Sequence, residues 1–343
     1  MFRIKIIRIL IVVGLLFNSA LLSQDGVSKS GTTAAKFLSI GVGPRANGMG
    51  GAFASVANDA SSMYWNPSGI AYVDDFNAVF TYTKLFADIN LNYLGVVIPT
   101  GEMGNIGINV TTLNYGEMDV TTEEFPEGTG ETFTSGSYAF GLSYARFITD
   151  NFVVGANIKY IRENIYNSSA EGLAIDVGTI FTTPFYGIKF ASSITNFGTK
   201  MNITGDDLLV RYDQDETTRG NNETVDARIS TDAFELPLRL QIGISKDVMI
   251  ADGQRFIMAV DANYPNDNDQ WVNVGGELSL FNNLVFVRGG YKALFLDDTQ
   301  EGLTFGFGLK YDQSNVLGIQ VDYAYQQQEF LDNTHSFGLI LSF

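Results

Sequence analysis

Hydrophobic and polar residues alternate with a period of two along most of the chain after its first 75 residues. For example, Tyr138, Phe140, Leu142 and Tyr144 share one face, whereas the intervening positions hold alanine, glycine and serine. Because successive side chains of a strand point to opposite faces, this alternation predicts strands with one apolar, aromatic face and one small or polar face. The pattern alone does not distinguish a soluble sandwich from a membrane barrel.

The number and length of the alternating runs help with that distinction. About fourteen runs follow one another, and most are near the ~9–11 residues that a tilted strand needs to cross a bilayer. The predicted strands are 76–84, 91–99, 104–114, 135–147, 151–163, 171–182, 186–198, 235–247, 254–264, 270–281, 284–293, 302–311, 315–327 and 334–343. None of them is an apolar run of the ~20 residues typical of a membrane-spanning helix.

The connections between these runs differ in length at the two ends of the predicted sheet. If the last strand ends in the periplasm, the six inward turns are all short, and the two longest connections, 115–134 and 199–234, both point outward. Outer-membrane barrels have short periplasmic turns and longer external loops. The connection lengths therefore favour an all-β fold, a transmembrane antiparallel β-barrel of about 14 strands, over a sandwich.

The two ends of the chain carry patterns typical of export and assembly. Three basic residues flank or interrupt an apolar run near the N-terminus, which predicts a signal peptide over residues 1–23; cleavage after Ala20 and an uncleaved anchor are the alternatives. The last strand alternates up to a terminal Phe343, which resembles the C-terminal signal read by the barrel-assembly machinery of Gram-negative outer membranes. We therefore expect the outer membrane as location, with its lipids and the assembly machinery as partners.

The net charge of the chain limits the classes of molecule that are expected to bind it. The net charge is −17, and removal of the three basic residues of the leader would take it to −20, so nucleic acid is not expected as a partner. The chain has no cysteine and therefore neither a disulfide nor the lipid-anchored cysteine of a lipoprotein. The outward segment 115–134 carries six acidic residues and no basic one, which favours partners with basic surfaces.

The segment 41–73 fits neither an amphipathic helix nor a strand. Asn58 or Asp59 can cap a short helix over about 60–65, and a turn is expected from Asn66 to Gly69 because proline at position 67 pushes the preceding residue out of the helical region. Its many glycines and alanines allow backbone to press against backbone. We predict that residues 24–75 form a plug inside a barrel made by residues 76–343.

Residues 35–71 resemble the N-terminal signature of the PorV/PorQ family, within the larger superfamily typified by the FadL fatty-acid transporter. The resemblance covers about a tenth of the chain. The plug residues that carry it or adjoin it are Gly43, Arg45, Met49, Gly50, Gly51, Asp59, Trp65, Asn66, Pro67 and Gly69. It implies an N-terminal plug followed by a fourteen-stranded barrel of the FadL type.

Two functions are implied by this resemblance. PorV-like members act in type IX secretion, where they accept exported proteins from the translocon and shuttle them to a cell-surface attachment complex. FadL-like members take up hydrophobic compounds past an Asn-Pro-Ala element, in which this chain has Ser68 instead of alanine. We favour the secretion role, with secretion-system proteins and exported cargo as partners, and keep uptake of a hydrophobic ligand as the alternative.

The predicted lumen is ionic, which modestly favours secretion because an uptake channel prefers an apolar lining. We expect Arg45 to be buried and paired with an acid, and the five candidates are Asp59, Asp176, Asp261, Glu277 and Asp322. We also expect Glu277, Arg288 and Lys310 to occupy neighbouring lumen positions. Asp261 and Asp322 should flank them, since opposite charges on adjacent strands stabilise one another. The inward-facing charges are Lys159, Asp176, Lys189, Arg239, Asp261, Glu277, Arg288, Lys310 and Asp322.

Motifs of enzymes and of metal or cofactor sites are missing from the sequence. The only histidine, His335, lies near a loop, and no nucleophile elbow, H-E-x-x-H motif or phosphate loop is present. The acidic stretches 204–216 and 263–270 lack the spacing and the turn glycine of a calcium loop. We therefore expect no enzymatic activity, no cofactor and no metal.

Overall fold

A computed structural model describes residues 31–213, 224–313 and 317–343, so the predicted signal peptide lies outside the described residues. Fourteen long strands form one antiparallel barrel, which closes through the pairing of β5 with β6. The strands are β1 (Asn77–Lys84), β2 (Asn90–Pro99), β3 (Asn105–Asp119), β4 (Thr132–Thr149), β5 (Phe152–Ile165), β6 (Ser168–Thr182), β7 (Lys189–Gly198), β8 (Thr204–Gly205), β9 (Leu209–Tyr212), β10 (Val225–Arg228), β11 (Arg239–Ala251), β12 (Gln254–Pro265), β13 (Trp271–Leu280), β14 (Val285–Leu294), β15 (Glu301–Gln313), β16 (Leu317–Gln328) and β17 (Thr334–Ser342). The barrel consists of β1–β7 and β11–β17, and it confirms the predicted fold class.

Helical structure is confined to short pieces. Two α-helices, α1 (Pro44–Gly48) and α2 (Ser62–Trp65), precede the first strand. The 3₁₀ helices are Lys36–Ser39, Pro67–Tyr72, Gly101–Met103 and Asp206–Leu208. Within the described residues, no helix is long and apolar enough to cross a membrane.

The two ends of the barrel differ as the connection lengths predict. Within the described residues one end, here called the turn end, holds five short turns, the paired ends of β15 and β16, and the start of β1 beside the end of β17. The opposite end, here called the loop end, holds the long connections 120–131 and 199–238. Because outer-membrane barrels keep short turns in the periplasm, we assign the turn end to the periplasm and the loop end to the outside.

The first long connection is shorter than predicted, since β3 runs to Asp119 and β4 begins at Thr132. Pairing is interrupted by a bulge between Asn114 and Glu117 and then resumes with Glu117 opposite Thr134. In the sequence the predicted alternation ends at residue 114, whereas backbone pairing continues to Asp119 opposite Thr132. For this reason the hydrophobic pattern underestimated the length of both strands.

The outer wall of the barrel is apolar at mid-height. Phe140, Leu142 and Tyr144 are about half exposed, at 47%, 51% and 44%, while the alternate residues of β4 face inward and are buried. A continuous belt of exposed aromatic and aliphatic side chains suits contact with lipid rather than water.

Residues 31–73 run through the lumen from one end to the other. At the loop end, Thr33 pairs with Glu235 and the ammonium of Lys36 contacts Asp267. At the turn end, the side-chain amide of Asn105 donates to the carbonyl groups of Ile70 and Val73, 2.7 Å from each. We call the described lumenal segment, residues 31–73, the plug. The predicted boundaries, 24–75 for the plug and 76–343 for the barrel, stay a prediction, and residues 24–30 lie outside the described residues.

Candidate functional site

The plug lies close to the barrel wall at many positions where the wall has glycine. A Cβ added to Gly290 would lie 2.5 Å from the backbone nitrogen of Gly50, and one added to Gly155 would lie 2.5 Å from the carbonyl carbon of Pro67. Contacts this close are possible only without a side chain. An added Cβ would also meet plug backbone at Gly95, Gly275 and Gly306, and plug side-chain atoms at Gly107, Gly178, Gly243 and Gly338. At these positions the absence of a side chain on the wall lets the backbone or a side chain of the plug lie directly against the wall.

Trp65 and Asn66 fix the middle of the plug. The indole N–H of Trp65 donates to the carbonyl of Val42 at 2.9 Å, and the ring is buried against Phe53. The side-chain amide of Asn66 donates to the carbonyl of Ala54 at 2.9 Å and to that of Thr179, in the wall, at 3.2 Å. These bonds hold the segment in one position relative to the wall.

The remaining residues of the plug motif shape its backbone. Gly43, Gly50 and Gly51 have positive φ angles of 85°, 66° and 76°, which favour glycine. Met49 is fully buried, and a Cβ at Gly69 would lie 2.6 Å from a backbone oxygen of the plug. These residues therefore allow the plug backbone to turn sharply and to pack closely on itself.

The local structure around the Trp-Asn-Pro tripeptide agrees with the prediction in part. The turn is present, since the N–H of Gly69 donates to the carbonyl of Asn66 at 2.9 Å, and it opens a 3₁₀ helix that begins at Pro67. The predicted helix over 60–65 is shorter and begins at Ser62. The carboxylate of Asp59 accepts hydrogen bonds from the N–H and hydroxyl of Ser61, and this local turn replaces the first predicted helical turn.

A buried ion network joins the plug to the wall. The guanidinium of Arg45 forms a two-pronged contact with Glu277, at 2.8 and 3.0 Å, and a further contact with Asp59 at 3.2 Å. Arg288 lies on the other side of the same carboxylate, with 2.7 Å between its Nε and Glu277 Oε2, and reaches Asp322 at 2.6 Å. Each charge has an opposite neighbour, which such burial requires.

Lys310 and Asp261 lie outside this network. Strand pairing places Glu277 opposite Arg288, but Lys310 pairs with Gln320, farther toward the turn end, and contacts Asp312 at 3.3 Å. The prediction that Lys310 neighbours Glu277 and Arg288 is therefore wrong, because matching faces do not fix height along the barrel. Asp261 accepts the backbone N–H groups of two plug residues, Phe53 at 2.7 Å and Ala54 at 2.8 Å.

A second buried group surrounds Asp176. Its carboxylate contacts the ammonium of Lys159 at 2.9 Å and accepts the backbone N–H of Asn196 at 2.7 Å. Asn196 has a φ of 64° and lies at an irregularity in the pairing of β6 with β7. The sequence identified both charged residues as lumenal but gave no signal for their pairing, which depends on this irregularity.

Two end cavities flank the plug. The turn-end cavity, of about 280 Å³, is bordered by Arg45, Arg255 and Lys310. The loop-end cleft, of about 570 Å³, is lined by residues of the plug, of four strands and of the connection 199–238. Its lining residues are Ala34, Tyr115, Ser135, Ser137, Glu163, Asn164, Ile165, Ala170, Met201, Ile203, Thr231, Asp232 and Phe234.

The connection 199–238 is fastened to the rim of the barrel by Asp207. Its carboxylate accepts the backbone N–H of Asn167 at 2.9 Å and the hydroxyl of Ser168 at 2.9 Å. Desolvation opposes the charge, but these hydrogen bonds outweigh it and lower the pKa of Asp207. The carboxylate is therefore ionised at neutral pH, the form that accepts these hydrogen bonds.

Phe343, the predicted assembly signal, and His335, the only histidine, lie outside the plug and do not line either cavity. Phe343 stacks on Phe76 with 4.5 Å between ring centroids at the turn end, and its role as an assembly signal stays a prediction. The imidazole of His335 lies 2.9 Å from the hydroxyl of Tyr323 on the outer wall. In the part of the chain that the structure describes, no cluster of three metal-ligating side chains was found.

Comparisons with known proteins agree on the architecture. The family model described as "Type IX secretion system protein PorV" matches residues 23–202. None of the curated proteins matches the chain. The toluene transporter TodX of P. putida matches with a TM-score of 0.55 and 11% identity, over 88% of this chain and 97% of TodX.

Two further solved structures have the same fold. The toluene transporter TbuX of Ralstonia pickettii matches with a TM-score of 0.53 and 10% identity, over 88% of this chain and 97% of its own. The monoaromatic hydrocarbon channel CymD matches with a TM-score of 0.53 and 12% identity, over 88% and 96% of the two chains. At these identities the likeness concerns the fold alone.

Proposed function

The chain belongs to the PorV family of type IX secretion system proteins, and on this premise we propose that it binds exported proteins at the cell surface and shuttles them during secretion. The family match, which spans more than half of the chain, is the observation that carries the proposal. In this role the protein works as an outer-membrane β-barrel with its external loops as the binding surface and performs no covalent chemistry.

The packing of the lumen supports a surface role. Asn66 and Ser68, which correspond to the uptake element of FadL-like transporters, are fully buried and hydrogen-bonded to each other. The inward wall at this height carries Gly155 and Gly178, and both meet plug atoms at contact distance. A hydrophobic compound would have to displace this packing and also cross the ion network around Glu277.

The rival function, uptake of a hydrophobic compound, draws on the same fold, since TodX and TbuX are described as toluene transporters. It requires an apolar path past Asn66 and a gap in the wall. The described strands form a continuously paired barrel, and the lumen around Arg45 is ionic, so we favour secretion.

Affinity capture from detergent-solubilised outer membrane tests the proposed partners. We expect the full-length protein to retain exported proteins and other secretion components, identified by mass spectrometry. A variant with the six acids of 115–134 changed to their amides should assemble normally but capture at least about fivefold less, because the external charge that attracts partners is gone. Recovery of only barrel-assembly proteins and lipids from the unmodified protein would count against the shuttle.

A further inference from the structure

The loop-end cleft combines apolar walls with a carboxylate that lacks a counter-ion. The aromatic rings of Tyr115 and Phe234 and the side chains of Met201 and Ile203 line it, and it lies where external loops meet the lumen. A cleft of this volume with a few polar groups has the character of a binding site.

Glu163 is the charged group inside this cleft. It is half-buried; one carboxylate oxygen accepts the backbone N–H of Ala35 at 3.0 Å, and the other accepts the hydroxyl of Ser137 at 3.3 Å. Among the described residues, no lysine or arginine nitrogen lies within 4.0 Å of Glu163 or of Asp232, which also lines the cleft.

Three other acids of the lumen contrast with Glu163, whereas Asp261 resembles it, because Asp261 accepts hydrogen bonds only from uncharged groups. Asp176, Glu277 and Asp322 each contact a basic side chain at 2.6–2.9 Å. A partly desolvated carboxylate gains most from a cation that replaces its lost water. Lysine and arginine fit such a cleft, because their aliphatic stems lie along apolar walls while the charged head reaches the acid.

The backbone around the cleft is suited to an extended chain. Isolated bridges join Thr33 to Glu235 and Met201 to Phe234. The small β9–β10 sheet of the same connection consists of two strands without a third partner among the described residues. Two-stranded sheets are marginally stable alone, and a free edge accepts an added strand.

We propose that the loop-end cleft binds a lysine or arginine side chain presented by an extended segment of an exported protein, with Glu163 as the residue that receives the charge. The proposal rests on the proposed function for the identity of the partner. The site itself, a basic side chain on an extended chain, follows from the cleft.

Peptide binding to the purified full-length protein in detergent tests the site directly. The probe is a fluorescent seven-residue peptide of alternating lysine and threonine, blocked at both ends, and the reference peptide has glutamine in place of lysine. At about 0.15 M salt, where long-range attraction is screened within ~8 Å, we expect the lysine peptide to bind at least tenfold more tightly. Glu163→Gln, which can keep the local hydrogen bonds, should weaken lysine-peptide binding at least fivefold.

Glu329→Gln is the matched control, because it removes one exposed carboxylate at the loop end outside the cleft. It should leave binding unchanged, and both variants should keep the heat-dependent gel mobility of a folded barrel. Equal affinity for the two peptides, equal effects of the two substitutions, or full competition by free spermidine would overturn the proposed site. If the purified protein bound the lysine peptide as expected but a deletion strain secreted proteins normally, the secretion role would be refuted and the proposed site would remain.

Discussion

Replacement of Gly290 by valine should displace the plug from its packed position against the barrel wall. A Cβ at this position would overlap the backbone of Met49 and Gly50, and backbone cannot rotate away as a side chain can. The penalty should therefore exceed the ~1–3 kcal/mol usual for overpacking. We expect a lower temperature for loss of the folded gel mobility, rapid proteolysis of the plug and a new steady ion conductance in planar bilayers.

The adjacent residue provides the control for this experiment. Gly289 points to the outer face of the same strand, and the nearest atom to an added Cβ is the carbonyl oxygen of Thr304 at 4.0 Å. Gly289→Val should behave like the unmodified protein because an extra apolar side chain is accepted on the lipid side. If the two valine variants gave the same conductance and stability, direct packing of the plug on the wall would be disproved.

Replacement of Arg45 by methionine should destabilise the folded protein by about 3 kcal/mol or more, because removal of one partner leaves the other charges buried and incompletely paired. Glu277 would keep Arg288, but Asp59 would lose its only ion-pair partner among the described residues. The loss should appear as a lower urea midpoint of the detergent-solubilised barrel. Arg45→Lys should recover part of it, since lysine keeps the charge but not the two-pronged contact.

Lys310→Met is the control for the loss of a lumenal cation. The side chain of Lys310 is 34% exposed and its partner Asp312 is 51% exposed, so this pair should contribute only ~0–1 kcal/mol. Comparable shifts of the urea midpoint for Lys310→Met and Arg45→Met would show that the contact with Glu277 does not fasten the plug.

The strands and their faces were predictable because both depend on neighbouring residues. Alternation in the sequence identified every barrel strand and correctly placed Glu277, Arg288 and Asp322 toward the lumen. The lengths of the connections likewise could be read from the sequence, and they identified which end of the barrel has short turns and which has long loops. Predicting these features requires only the two-residue period of a strand and the thickness of a bilayer.

The contacts between plug and wall were not predictable, because they depend on distant residues and on the height of each strand. The choice of Glu277 and Asp59 among five possible partners of Arg45 requires the depth of the plug in the lumen. The register of β14 and β15 places Arg288 opposite Gly306, four residues before Lys310, so a shared face did not make Lys310 a neighbour of Arg288.

The loop-end cleft shows the same limit. Glu163 meets Ala35, which is 128 positions away in the chain, and the cleft also takes Met201 and Phe234 from a connection with no recognisable motif. The sequence revealed the acidity of the external segments but not the carboxylate without a cation inside the mouth of the barrel.

The most direct test of the central claim, that this barrel serves protein secretion through its outer surface, is the fate of secreted proteins in a deletion strain of the source organism. We predict that unprocessed type IX cargo accumulates in the periplasm, that growth on hydrophobic substrates is unchanged, and that the unmodified gene restores secretion. Normal secretion combined with lost growth on a hydrophobic compound would contradict the account and establish uptake instead.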